Sequence, residues 1–105
     1  MSVNPKTAAL LGFARKSLKL ILGELSVEQG IKNGQAKLVI LAGDVADKKK
    51  TIIEKWCRDK GISFLELGDK DAYGKLFDTR PQGFIGVTDP QMAQAILSGN
   101  RAGGD

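Results

Sequence analysis

The stretch ARKSLKLILGELSVEQGIKNGQAKLVILAGDVA, running from Ala14 to Ala46, decides how the rest of the chain is read. Its end, Lys37 to Ala42 (KLVILA), is apolar and rich in β-branched residues. A strand buried on both faces has this composition, which calls for a sheet covered by helices on each side. Upstream, Ser26 starts a short helix and Gln29, three residues on, completes an S-x-x-Q capping box. Gly34 stops that helix. Gly23, Glu24 and Leu25 read as a turn or a very short strand, and Gly23 closes a preceding helix near Ile21 or Leu22.

Working outward, Asn4 followed by Pro5 is a helix start, with asparagine as the cap and proline at the first helical position. Leu11, Ala14, Leu18 and Leu22 follow at helical spacing, while Arg15, Lys16 and Lys19 fall largely to the other side. Beyond the central strand, Gly43 and Asp44 make a turn and Asp47 caps a helix ending at Gly61. That helix places Ile52, Ile53, Trp56 and Cys57 on one face. Ile62–Leu67 reads as a strand, Asp69 caps a helix through Phe77, and Gly83–Val87 reads as another strand. Asp89 and Pro90 start the last helix, which Gly99 stops. Such alternation predicts a single α/β domain over residues 5–98, a three-layer α/β/α sandwich, with 99–105 a mobile tail.

Several functional classes lack their residues. The 105-residue chain has no histidine and one cysteine, so zinc sites, internal disulfides and the common catalytic triads have no ligand or base. Phosphate-binding and dinucleotide-binding glycine loops are absent, as is the G-x-S-x-G elbow. We expect no enzyme activity, no metal and no cofactor. Asp44 and Asp47 read as turn and cap residues, and Cys57 as a small apolar core residue. No apolar run reaches the ~18–20 residues that span a membrane, and the first ten residues lack a secretory pattern. A cytoplasmic protein is expected.

Charge is uneven. Residues 1–60 hold 12 Lys/Arg against 6 Asp/Glu, whereas residues 61–105 hold 4 against 6. A basic half is the footprint of a nucleic-acid binder, or else a solvated lysine-rich surface. The lysine triplet Lys48–Lys50 opens a helix, where the dipole disfavours cations; it marks a functional surface or is simply solvated. At the Gly23 turn the expected RNA-contacting set is Gly23 for close backbone approach and Ser26 and Gln29 for base edges or sugar. Lys19 and Lys32 would meet phosphates. Glu24 bonds a base edge or stays solvated. The loop Arg80-Pro81-Gln82 either clamps unstacked bases or is a plain connection.

Taken together, the segment ILGELSVEQGIKNGQAKLVILAGDV resembles the ribosomal protein L7Ae/L30e superfamily of kink-turn RNA-binding proteins. The fuller set LLGFARKSLKLILGE, GQAKLVILAGDVADKKKTIIEKWC and DAYGKLF is similar to its bacterial YlxQ-type branch. Ala42 and Asp44, Cys57, and the Tyr73-Gly74 pair carry the likeness, which extends over Leu10 to Val87. It implies a four-stranded mixed sheet and a role with structured RNA, the ribosome or translation factors. The family's RNA-reading motif is G-x-N-E-x-x-K. Here Gly23 matches, Leu25 replaces asparagine, Ser26 replaces glutamate and Gln29 replaces lysine, so Leu25 offers only apolar contact. The alternative is a protein-interaction module that keeps the fold, with Leu25 as an exposed anchor.

Overall fold

The structure is a computed structural model and describes residues 3–100. Along it run α1 (Pro5–Lys16), β1 (Leu20–Leu22), α2 (Glu24–Lys32), β2 (Leu38–Leu41) and α3 (Asp47–Lys60). They are followed by β3 (Ser63–Glu66), α4 (Lys70–Phe77), β4 (Phe84–Val87) and α5 (Pro90–Gly99). The strands form one mixed sheet in the order β1-β4-β2-β3. β2 and β3 are parallel, and β4 runs antiparallel to β1 and β2. Helices α2 and α3 pack together on one face, and α1, α4 and α5 make the other layer.

The central strand behaves as its composition requires: Leu38, Val39, Ile40 and Leu41 are all fully buried between the two helical layers. Three helix starts also behave as read. Asn4 accepts from the Thr7 amide at 2.8 Å, Asp69 from Ala72 at 2.8 Å and Asp89 from Met92 at 2.9 Å. Asp44 has a more specific job than turn chemistry: its carboxylate accepts the Lys70 amide at 3.0 Å, satisfying another orphan donor of α4.

Three local expectations are corrected. The first helix does not reach Ile21: it ends at Lys16, and Leu20–Leu22 pair with Ile85–Val87 as an edge strand. The turn between them places Leu18 at φ +60°, where the Lys19 amide donates back to the Ala14 carbonyl at 2.8 Å. A left-handed leucine costs roughly 1–2 kcal/mol relative to an unstrained residue. Second, Ser26 is not a cap. Gly23 occupies that position, so Gly23 opens α2 instead of closing α1, and the capping box is not formed. Third, Ala46 and not Asp47 precedes α3; Asp47 is its first residue, 3.7 Å from Lys50. At the chain's end Gly99 is the last helical residue of α5 and Asn100 follows it; positions 101–105 of the expected mobile tail lie outside the described residues.

Cys57 is buried in the core among apolar side chains, and burial, with the neighbouring Glu54 charge adding to it, pushes its thiol up to about 11. The folded protein should therefore resist thiol alkylation near pH 8, and labelling should appear only with unfolding, as mass spectrometry across a urea series would show. The raised thiol also sets a sign. Its contribution to stability is complete below the unfolded thiol's pKa near 9 and is lost as pH rises through about 11.

Candidate nucleic-acid interface

β1, β2 and β3 all run toward the same end of the sheet, so the helices that follow them, α2, α3 and α4, all begin there. Three helix N-termini at one end concentrate partial positive charge, and those of α2 and α3 have no side-chain cap, whereas Asp69 and Asp44 take the Ala72 and Lys70 amides of α4. β4 starts at this end too, and the Gly23 amide donates to the Phe84 carbonyl at 3.0 Å, fixing the α2 start beside the strand's first residue.

Gly23 has φ +99° and ψ 154°, a backbone region that residues with a Cβ rarely adopt. The space above it is open, since a Cβ built there would meet nothing within 4 Å. No side chain caps α2. The first donors of α2 therefore face an approachable surface. Glu24 is partly exposed and ion-paired: both carboxylate oxygens accept from the Lys49 ammonium at 2.7 Å. Leu25 projects into solvent at 77% exposure, and Ser26 and Gln29 are exposed on the same short helix.

The lysine triplet divides into three roles. Lys50 is nearly buried and structural, donating to the Gly43 carbonyl at 2.7 Å and to Glu66 at 3.2 Å. Lys49 neutralises Glu24. Lys48 is exposed beside them, with no ion pair among the described residues, lining a groove with Glu24, Glu28, Lys49, Ile52 and Trp56.

The loop after α4 folds back along its own helix. Thr79 donates its amide to the Gly74 carbonyl at 2.9 Å, and Gln82 donates to the Lys70 carbonyl at 3.1 Å. Gly74 makes this possible: a Cβ there would stand 3.1 Å from the Arg80 carbonyl oxygen and from Pro81 backbone atoms. Arg80 is thus level with the middle of α4, exposed, and Gln82 reaches its start. Lys70 lays its aliphatic stem beside Gly83, 3.6 Å from where a Cβ would stand. The start of α2 and the Arg80–Gln82 loop are brought to one end of the sheet.

Lys19 and Lys32 are not at that end. Lys19 precedes β1, where its carbonyl accepts the Thr88 amide and its ammonium lies 3.9 Å from Asp89. Lys32 ends α2, with its ammonium 4.9 Å from the Trp56 ring centroid. The lysines that do lie at that end are Lys48, Lys49 and Lys70. The triplet was visible in sequence as a charge conflict, but its proximity to Glu24 was not. Nothing local marked Lys70.

The ribosomal protein L7Ae/L30e/S12e/Gadd45 family matches residues 6–96. This chain is an L7Ae-family protein. Among its relatives is the RNA-binding protein YlxQ of Bacillus subtilis, 26% identical over 89 residues that cover 85% of this chain and 89% of YlxQ. A Bacillus halodurans protein of unknown function superimposes with a TM-score of 0.86 at 27% identity, covering 90% of this chain and 96% of that one. The Giardia lamblia 15.5kD RNA binding protein shares the L7Ae fold at a TM-score of 0.75 and 20% identity, over 96% of this chain and 92% of its own. Among the described residues no helix is long and apolar enough to cross a membrane, and no group of three metal-ligating side chains forms.

Proposed function

We infer that this L7Ae-family chain is a non-enzymatic, cytoplasmic RNA-binding protein that takes kinked or looped RNA and works with the ribosome or translation factors. The observation that carries the reading is the convergence, at one end of the sheet, of the open Gly23 backbone, Lys48, Lys70 and the Arg80–Gln82 loop. The name of the relative YlxQ supports the same ligand class.

The geometry suits a bent backbone. Gly23 lets a phosphate or sugar approach the first amides of α2, and the helix dipole favours its charge. Lys48, Lys70 and Arg80 supply the salt-sensitive attraction. Because Lys49 neutralises Glu24, that carboxylate does not repel phosphates. Ser26 and Gln29 can donate and accept hydrogen bonds at base edges, while Leu25 gives only apolar contact. Kink-turn selectivity should be weaker than in relatives that keep the asparagine, glutamate and lysine of the motif.

The test is binding to a labelled kink-turn RNA and to a straight duplex, each across a salt series. Tighter binding to the kink-turn is expected at every salt concentration. Equal, steeply salt-dependent binding to both would replace shape recognition with a general basic surface. A second reading rests on Leu25: an exposed leucine on the first turn of α2 suits a protein-interaction module. Failure to bind either RNA, with a defined protein partner retained after nuclease treatment, would favour it.

A further inference from the structure

The layer opposite α2 and α3 carries a second unusual surface. Residues 1–23 contain Lys6, Arg15, Lys16 and Lys19 and no carboxylate at all. Helix α5, packed beside α1, carries no charged residue between Pro90 and Gly99, and only its cap Asp89, 3.9 Å from Lys19, offsets this field from that side. On the solvent face of α1, Lys6, Ala9, Phe13 and Lys16 follow one another at helical spacing and all are exposed. Phe13 stands in the middle of that line at 60% exposure. Just past the helix, Leu18 is 88% exposed and held at φ +60°. At the corresponding turns α2 and α3 use Gly34 and Gly61, at φ +78° and +71°. The α1 turn accepts a strained leucine that buries almost nothing within the chain.

We propose that the exposed face of α1, from Lys6 through Phe13 and Lys16 to Leu18, with Arg15 and Lys19 beside it, is a second RNA site that binds a single strand. The proposal rests on the RNA-binding reading above. Sequence-tolerant single-strand sites pair a cationic track for phosphates with an aromatic platform on which a base stacks. Apart from Asp89, 3.9 Å from Lys19, the charge of this face is of one sign, which favours a polyanion and opposes pairing with a second copy of itself. β1 spans only three residues, or about 10 Å, between Lys19 and Gly23. A strand leaving the α2 edge could therefore reach Lys19 within a few nucleotides.

Fluorescence anisotropy with labelled decauridylate tests this, with a blunt-ended kink-turn RNA as the second ligand. F13A is expected to weaken decauridylate binding about tenfold with an unchanged salt slope, because a stacking contact is lost and no charge is. The pair Arg15→Gln and Lys16→Gln should instead lower the log–log salt slope by about 1.4. Both should bind the blunt RNA within about twofold of the parent, and a thermal melt should show both folded. Leu18→Gly should raise the melting temperature while weakening decauridylate binding. Unchanged decauridylate affinity in F13A, or no binding by the parent protein, overturns the single-strand site. Equal losses on both RNAs also overturn it, by merging α1 with the α2 edge. If no variant binds the blunt RNA but F13A still loses decauridylate, the edge reading fails and this site stands.

Discussion

Replacing Lys48, Lys70 and Arg80 together by alanine is expected to weaken binding to structured RNA by about 200-fold near 0.1 M salt, and to flatten the log–log salt slope by about 2.4. The figure follows from counterion release. Each neutralised phosphate contributes a slope near 0.8, or about sixfold in affinity at that salt concentration, and three contacts multiply. Lys49 is left in place because its removal would expose the Glu24 carboxylate and add repulsion to the loss of a contact. All three replaced side chains are at least partly exposed, so the fold should tolerate the change. The informative control is the double substitution Lys19→Ala and Lys32→Ala at the other end of the sheet. On blunt structured RNA it should cost only a few-fold. If the control removes affinity and slope while the triple variant keeps both, phosphates are held where the sequence alone suggested.

The largest effect on stability is expected at Tyr73. Its side chain is fully buried, its ring stacks on Phe77 with centroids 6.2 Å apart, and its hydroxyl donates to the Leu67 carbonyl at 2.9 Å. Tyr73→Ala empties an aromatic-sized space and should cost about 3–5 kcal/mol. That is a large part of the 5–15 kcal/mol (roughly) that holds a domain of this size together. Tyr73→Phe keeps the volume and leaves the Leu67 carbonyl without this donor, at about 1 kcal/mol. Urea denaturation of the two variants separates the contributions. Equal losses would mean that the hydrogen bond, and not the buried ring, fixes α4. Because Thr79 and Gln82 both bond the backbone of α4, the alanine variant should also loosen the Arg80–Gln82 loop and weaken structured-RNA binding.

Parts of the molecule that obey short-range rules were legible from the chain. An asparagine or aspartate cap bonds an amide three residues away, so Asn4, Asp69 and Asp89 could be read without knowing anything distant. The strand Leu38–Leu41 was legible because apolar residues on both faces can be satisfied only inside a sheet. Gly34 and Gly61 ended their helices with left-handed backbones for an equally local reason.

What failed was set by partners far along the chain. Leu20–Leu22 continues the apolar spacing of α1, so sequence extended the helix through it. Pairing with Ile85–Val87, more than sixty residues later, makes it a strand. That pairing places the Gly23 amide on Phe84 and hands the helix start to Gly23, leaving Ser26 an exposed residue of the first turn. It also separates Lys19 from the Gly23 edge. Lys70 joins that edge only because β3 ends there and Asp44, from the loop after β2, accepts the amide of Lys70 at the start of the helix that follows.

The sequence by itself determined the α/β alternation, the buried central strand, the family likeness and an excess of positive charge toward the N-terminal half. Periodicity, capping and composition act within a few residues. Only the tertiary structure decided which cations share a surface, because that depends on strand order and direction. Parallel β2 and β3 beside β1, with β4 reversed between β1 and β2, bring three helix starts to one end and leave the carboxylate-free α1 on the opposite layer.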